Sequence, residues 1–406
     1  MIRVLALLLS LLFAANVAAA ERSYRADYHV RFLPETKQAE VSLTVTPGSG
    51  RVSQMRLNMP EKRYLGITGD GSIERKGARV TWKLLRDQPS TLTWRHNINR
   101  RRASGGYDAR ITDDWAILRG DKLFPAARVR ASKGAVGRTT LRFELPPGWT
   151  NVDTAWRSSL EDRLFFVVDN PDRAFARPVG WIIAGGVGTR REFLLGTELV
   201  VAGPKGSDVR RNDILGFLNA MVPEFQQALG QLPPKILIVS AGNPMWRGGL
   251  SGPQSLFLHA DRPMISENGS STLAHELFHV ITRIRGAEGD DWIAEGLAEY
   301  YSIELLQRAG LLSASRYEKA FGWMRRHGKA VKTLGSARSH GPRTARAVTL
   351  LREIDAELRQ RSQGRHDLDQ VVRALLPLRR ISRDDLRSEV EHRIGPSKVL
   401  DSPLLQ

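Results

Sequence analysis

The sequence of 406 residues contains no cysteine. This absence excludes disulfide bonds, a thiol nucleophile, a lipidated cysteine and every metal site that uses thiolate ligands. Any bound metal ion must therefore be held by histidine and carboxylate side chains. Exported bacterial proteins commonly lack cysteine, so the composition is compatible with a periplasmic protein.

Long hydrophobic runs are absent after residue 20. Before it, residues 4–17 are apolar, with Arg3 on one side and Ala18-Ala19-Ala20 on the other. This order is typical of a secretory signal peptide over residues 1–20, and it predicts a periplasmic or secreted protein. A membrane anchor is the alternative, but the run is shorter than the ~20 residues of a spanning helix. We therefore expect no membrane span in the mature chain.

Acidic residues are too few to balance the basic ones. Lysine and arginine number 61 against 43 aspartates and glutamates, which gives a formal net charge of +18. Such a charge attracts polyanions, so an anionic envelope polymer is one candidate partner, and an ordinary basic solvated surface is the alternative. Export is predicted and the densest cluster, Arg100-Arg101-Arg102, lacks interleaved aromatic residues, so we expect no nucleic-acid partner.

The segment His275-Glu276-Leu277-Phe278-His279 combines the residue types that zinc-dependent hydrolysis requires. His275 and His279 are four residues apart, so on a helix they share one face and can reach one metal ion. A carboxylate from a second helix can supply a third ligand and leave the fourth tetrahedral position to water. Glu276 is offset around the helix and can take the proton of that water. The pattern predicts a zinc hydrolase.

The surrounding sequence predicts two helices for this site. Ser270 or Ser271 is a suitable N-cap for the motif helix, an apolar stripe with helical spacing follows, and Gly286 is a natural stop. A second helix begins after Asp290-Asp291, runs to about Gln307 and brings carboxylates to the place where a third ligand is needed. Two histidines packed in a helical core are the alternative, but that does not explain an ionisable residue beside them.

Two kinds of pattern divide the rest of the chain. Short alternating segments separated by turn residues extend from Ser23 to about Val201 and predict antiparallel strands, whereas helical periodicity dominates later. We therefore expect an α+β fold with more than one domain. The predicted segments are a β-rich N-terminal domain (21–203), a catalytic zinc-binding core (204–310), a helical continuation (311–392) and a loose tail (393–406).

The motif and its surroundings resemble the gluzincin peptidases, in particular the aminopeptidase N and glycyl aminopeptidase families. Those families place their third ligand in a W-x-x-E-G-x-x-x-Y context, which is matched here by Trp292, Glu295, Gly296 and Tyr300. The resemblance implies a thermolysin-like, mostly helical zinc peptidase domain after the β-rich domain, acting on peptide or protein substrates. It also implies zinc ligands at His275, His279 and Glu295, with Glu276 as the catalytic base.

Glu299, one helical turn after Glu295, is an alternative third ligand. Its separation from the motif is thermolysin-like, but the Glu-Gly context favours Glu295. In that case Glu299 would lie behind the ligands or on the surface.

The sequence departs from these families at two places. Their transition-state tyrosine would be expected near Thr344 or Ala345, yet no tyrosine follows Tyr317. His340 or Arg343 is therefore the candidate donor to an oxyanion. The glutamate that holds a substrate's free amine is also missing. The comparable loop is 248–252, with Ser251 near the acidic position, and aminopeptidase specificity is therefore not expected from it.

Three classes of function remain open at this stage. The first is an exported zinc metallopeptidase in which Glu276 activates water for peptide-bond hydrolysis. The second is a catalytically impaired envelope protein whose zinc site is structural or binds peptide without cleavage, and the missing tyrosine favours it. The third is a polyanion-binding module, which would depend steeply on salt.

Overall fold

The structure is a computed structural model that describes residues 22–169, 175–336 and 338–405. The predicted signal peptide, residues 1–20, lies outside the described residues. Within those ranges no helix has both the length and the hydropathy needed to cross a membrane.

The N-terminal part is built from three β-sheets, which agrees with the predicted β-rich domain. The first has six strands, in the spatial order β14 (Phe165–Val168), β12 (Val136–Glu144), β1 (Ser23–Leu33), β2 (Gln38–Thr46), β7 (Ser90–Asn97) and β4 (Tyr64–Gly69). The second has the order β11 (Ala127–Ala131), β3 (Val52–Asn58), β6 (Arg79–Lys83) and β5 (Ser72–Lys76). The third has the order β13 (Asn151–Thr154), β15 (Trp181–Gly185), β10 (Trp115–Arg119), β9 (Tyr107–Ile111) and β8 (Arg100–Arg101).

Alternating burial explains why these segments form strands. Along β2, Ala39, Val41, Leu43 and Val45 are all buried, while the residues between them are partly exposed. Successive side chains of a strand point to opposite faces, so this pattern buries one face of the sheet. The expectation of a purely antiparallel domain is corrected in one place, because β1 and β12 pair in parallel. Strands so far apart in the chain need no tight hairpin between them.

A fourth sheet, of mixed strand direction, begins the later part of the chain. Its order is β16 (Val187–Leu194), β17 (Thr197–Pro204), β18 (Lys235–Ala241), β20 (Ser255–His259) and β19 (Gly249–Gly252). Strands β17, β18 and β20 run parallel, and β19 is an antiparallel edge strand. The sheet includes strands on both sides of the boundary at residue 203, which stays a prediction.

Helices make up most of the remaining chain and pack into one apolar core with this sheet. They are α1 (Gly120–Leu123), which lies in the N-terminal part, and then α2 (Arg211–Leu229), α3 (Thr272–Thr282), α4 (Asp291–Arg308), α5 (Ala314–Gly328), α6 (Pro342–Arg361), α7 (Leu368–Leu375) and α8 (Arg383–Ile394). A short parallel pair, β21 (Arg285–Gly286) and β22 (Arg380–Ile381), joins the end of α3 to the start of α8.

The C-terminal segment corrects the prediction of a loose tail at 393–406. Leu400 and Leu404 are buried in the helical core. Ser397 donates from its hydroxyl to Glu357 of α6 at 2.5 Å. Apolar burial and a hydrogen bond to a carboxyl group hold this segment against the core, although Pro and Gly in its sequence suggested a free end.

Candidate metal centre

Helix α3 carries the motif and begins at the predicted cap. The hydroxyl oxygen of Ser271 accepts a hydrogen bond from the backbone N–H of Ala274 at 3.2 Å, which satisfies one free donor of the first turn. The helix ends earlier than expected, because Arg283 rather than Gly286 adopts the left-handed conformation, with φ of 56°. Leu273 and Leu277 are fully buried on the core side. The opposite face therefore presents the three ionisable residues of the motif.

Helix α4 supplies the carboxylates, and its glycine sets how closely it packs. A Cβ atom on Gly296 would lie 2.8 Å from the Cβ of Ala347 and 3.0 Å from Leu351, both on α6. No ordinary side chain fits that space. The glycine that follows Glu295 thus lets α4 and α6 approach each other, and Trp292, also buried, anchors the first turn.

His275, His279 and Glu295 come together in a compact triangle. The two Nε2 atoms are 3.2 Å apart, and they lie 3.4 Å and 3.5 Å from the two carboxylate oxygens of Glu295. Zinc bonds of about 2.0–2.1 Å place neighbouring ligands of a tetrahedral site about 3.3 Å apart. The three side chains therefore fit the donor set and the spacing of a tetrahedral zinc site.

Glu299 occupies a different place from Glu295. Its carboxylate lies 3.0 Å from Nδ1 of His275, on the side of the ring that faces away from the triangle. Metal-binding histidines usually give their second ring N–H to a carboxylate, which fixes the tautomer and the ring orientation. The geometry thus gives the two glutamates distinct positions, one inside the triangle and one behind it.

The electrostatics of the triangle favour a bound cation. Burial lowers the pKa of His275, but the carboxylates of Glu295 and Glu299 outweigh it and hold that pKa well above its usual value. Burial and the charge of His275 lower the pKa of His279 to about 4. The pKa of Glu295 is raised by burial, and its two histidine neighbours overcome that effect and leave it below the usual value. The carboxylates therefore stabilise positive charge in the triangle.

Glu276 points toward the edge strand β19 rather than into the triangle. One of its carboxylate oxygens accepts the backbone N–H of Ser251 at 2.7 Å. A Cβ atom on Gly249 would lie 2.8 Å from Cγ of Glu276, so a glycine is needed beside it. Burial raises the pKa of Glu276, partly offset by His275 and by the Ser251 N–H, which suits a general base. The sequence indicated the glutamate but not this backbone partner.

The candidates for an oxyanion donor are not part of the triangle. His340 is exposed just before α6, and Arg343 donates to the carbonyl of Thr333 at 3.5 Å. The tyrosines of α4 point elsewhere, because the hydroxyls of Tyr300 and Tyr301 donate to Asp355 and Asp369 in the helical core. An oxyanion donor therefore remains a prediction for His340 or Arg343.

Comparison with known proteins places the fold. No family model and no curated protein matches the sequence. An aminopeptidase N family protein from Idiomarina loihiensis matches with a TM-score of 0.65 at 15% identity, over 87% of this chain and 70% of that one. An M1 zinc metallopeptidase from Deinococcus radiodurans matches with 0.58 at 14% identity, over 95% and 93%. A variant of the Deinococcus enzyme bound to a Tyr-Ser-Ala substrate matches with 0.59 at 13% identity, over 95% and 93%. The chain thus shares the mixed α/β fold of M1 zinc metallopeptidases, with a large β-rich part first and helices later.

Proposed function

We propose that this protein is an exported, zinc-dependent metallopeptidase of the gluzincin type, with a thermolysin-like catalytic part. The observation that carries the proposal is the triangle of His275, His279 and Glu295, whose spacing matches three ligands of tetrahedral zinc. A zinc ion held there supplies Lewis-acid chemistry and lowers the pKa of water near it. An aminopeptidase N family protein and an M1 zinc metallopeptidase share the fold, which supports the same hypothesis.

Glu276 acts as general base and then general acid in this proposal. Its raised pKa favours taking a proton from water and returning that proton to the leaving amine. The Ser251 N–H holds the carboxylate toward the cleft, and Glu299 holds the ring of His275 in the tautomer that keeps Nε2 free for the metal. Each role needs only the contacts described above.

The substrate is proposed to be a peptide that lies along β19. An edge strand has backbone groups on one side without a strand partner, and an extended peptide can add to it as a further strand. A fold relative has been solved with a Tyr-Ser-Ala substrate, which supports a peptide here. Ser251 has no carboxylate for a free amine, so we propose no preference for a peptide N-terminus.

The test is Glu276→Gln, with Glu267→Gln as the matched control on an exposed residue just before α3. Glutamine keeps an oxygen for the Ser251 N–H but cannot take a proton. We expect about one equivalent of zinc in both variants, and loss of peptide hydrolysis in Glu276→Gln alone. Hydrolysis that persisted in Glu276→Gln would refute the mechanism.

A second candidate function is a peptide-binding protein that no longer cleaves. The observation that favours it is the absence of a tyrosine after Tyr317, together with the inward hydroxyls of Tyr300 and Tyr301. Removing one oxyanion donor costs about 10²–10³ in kcat in other hydrolases. Digestion of a broad peptide library with and without chelator separates the two, because only the peptidase gives chelator-sensitive cleavage.

A further inference from the structure

A basic cavity of about 890 Å³ shares strand β19 with the candidate centre, and the proposed function leaves it without a role. It is enclosed mainly by the N-terminal part, with Leu250 of β19 and Arg338 from the loop before α6 completing the wall. Its lining has eight basic side chains, among them Arg100, Arg101 and Arg102, and only two carboxylates, those of Asp108 and Asp121. The volume is in the range of small-molecule and side-chain pockets rather than of polymer grooves.

Both carboxylates of the wall are already used by basic neighbours. Asp108 pairs with Arg102 and lies 3.7 Å from Arg100. Asp121 accepts two hydrogen bonds from Arg119, at 2.8 Å and 3.1 Å. The lining therefore keeps a large excess of positive charge that its own acidic residues do not neutralise, and such a cavity attracts anions.

Arg101 and Arg338 both have guanidinium N–H groups available for a ligand. Arg101 donates from Nε to the carbonyl of Gly105 at 3.0 Å, which leaves its other guanidinium N–H groups for a ligand. Arg338 is exposed, and among the described residues no carboxylate forms an ion pair with it. A guanidinium in that state presents a planar fork that matches a carboxylate in two parallel hydrogen bonds.

The cluster is fixed in place rather than loosely presented. The guanidinium of Arg102 lies 3.8 Å from the ring centre of Trp246. The backbone of Tyr107 exchanges hydrogen bonds with the loop that leads to β19, donating to Pro244 at 3.0 Å and accepting from Trp246 at 3.0 Å. The basic hairpin β8–β9 is thereby tied to the chain segment just before the edge strand.

The same strand reaches both the cavity and the candidate base. Leu250 lines the cavity, while its neighbours Gly249 and Ser251 contact Glu276. A strand advances about 3.3 Å per residue, so side chains within a few residues of a peptide bond held at Glu276 can enter the cavity. From this juxtaposition we infer that the arginine-lined cavity is a specificity subsite for the acidic side chains of a peptide substrate. The inference rests on the proposed function, because it names the substrate class of that site.

The first test compares two peptides that differ only in Glu or Gln near the scissile bond, starting from a neutral peptide that the protein cleaves. For the wild type we expect kcat/KM to be about tenfold higher for the Glu peptide, as one charge-assisted hydrogen bond provides. The ratio should approach one in Arg101→Gln and Arg338→Gln. It should stay at the wild-type value in Arg128→Gln, which removes an equal charge from an exposed site on β11.

A wild-type ratio near one would overturn the subsite. Cleavage of the neutral peptide would still support the peptidase proposal, so the two proposals can fail separately. A ratio that fell equally in Arg128→Gln would also overturn it, because the preference would then come from the overall charge of the surface. A fall confined to the two cavity variants supports it.

The second test measures binding without hydrolysis, in the Glu276→Gln background, by fluorescence anisotropy of labelled Glu-containing and Gln-containing peptides. Tighter binding of the Glu peptide that is lost on adding Arg338→Gln supports the subsite even if no peptide is ever cleaved, in which case only the peptidase proposal fails. Equal binding of both peptides in this background overturns the subsite. Sulfated polysaccharide is the comparison ligand. If it displaces the Glu peptide and Arg128→Gln abolishes that displacement, the positive charge serves polyanion binding on the surface, which overturns the subsite.

Discussion

Glu299→Gln tests the arrangement in which one glutamate binds zinc and the other holds a histidine. The Glu299 carboxylate lies 3.0 Å from Nδ1 of His275, so the substitution keeps a similar shape but replaces the carboxylate with an amide. Losing a carboxylate behind a metal-binding histidine costs about 10–100-fold in metal affinity. This corresponds to about 1.4–2.7 kcal/mol of zinc binding free energy.

The assay is competition for zinc against a chromogenic chelator, with Glu295→Gln as the matched variant. Glu295 lies inside the triangle, 3.4 Å and 3.5 Å from the two histidine nitrogens, so its loss should weaken zinc binding well beyond the effect at Glu299. Peptide hydrolysis by Glu299→Gln should recover when zinc is in excess, because the weakened site is then refilled. Glu295→Gln should not recover, since the remaining ligands no longer define the site.

The reverse order of zinc affinities would refute this reasoning. If Glu299→Gln abolished binding and Glu295→Gln retained it, Glu299 would be the third ligand, as its thermolysin-like separation allows. Zinc affinity within twofold of the wild type in both variants would show that the triangle is not the metal centre.

Two further predictions concern stability. Gly296→Ala should lower the free energy of unfolding by about 1–3 kcal/mol, because the new methyl group would lie 2.8 Å from Ala347. Gly216→Ala on an open face of α2 should instead raise it by up to about 1 kcal/mol, and equal effects in thermal melts would contradict the packing argument. The second prediction concerns His96. Burial, and to a smaller extent the charge of Arg63, lowers its pKa from 6.5 to about 3. As the pH falls, His96 is protonated in the unfolded chain before it is protonated in the folded chain. The contribution of neutral His96 to the free energy of unfolding is therefore intact above pH 6.5 and falls by about 1.4 kcal/mol per pH unit toward pH 3. Urea unfolding between pH 7 and 4.5 should show that slope reduced in His96→Phe, and an unchanged slope would exclude His96 as its source.

Local patterns in the sequence were sufficient for the elements that carry the motif. The cap at Ser271, the span of α4 and the apolar face of α3 follow from capping chemistry and helical spacing over a few residues. The end of α3 did not follow, because Arg283 takes a left-handed conformation that the sequence pattern assigned to a glycine. Just after this position Arg285 pairs with Arg380, a long-range contact that the local pattern does not contain.

Features built from distant segments could not be predicted. The parallel pairing of β1 with β12 joins Ser23 to Val136, and no local period specifies a partner that far away. The tail was assigned as loose from its Pro and Gly content, but Leu400 and Leu404 find apolar partners that only the folded chain provides. The arginine cavity has the same origin, because the sequence reveals the cluster at 100–102 but not its proximity to Arg338 or Leu250.

In the proposed mechanism, the hydrogen bond between Ser251 and Glu276 has a consequence for the timing of catalysis. One backbone N–H makes one good hydrogen bond, so a peptide that pairs with β19 at Ser251 competes with Glu276 for the same donor. That hydrogen bond lowers the pKa of Glu276, and losing it makes the carboxylate more basic. Glu276 would then be the weakest base while the cleft is empty and the strongest base when a peptide lies along the strand. Binding of the substrate would itself increase the basicity of the carboxylate.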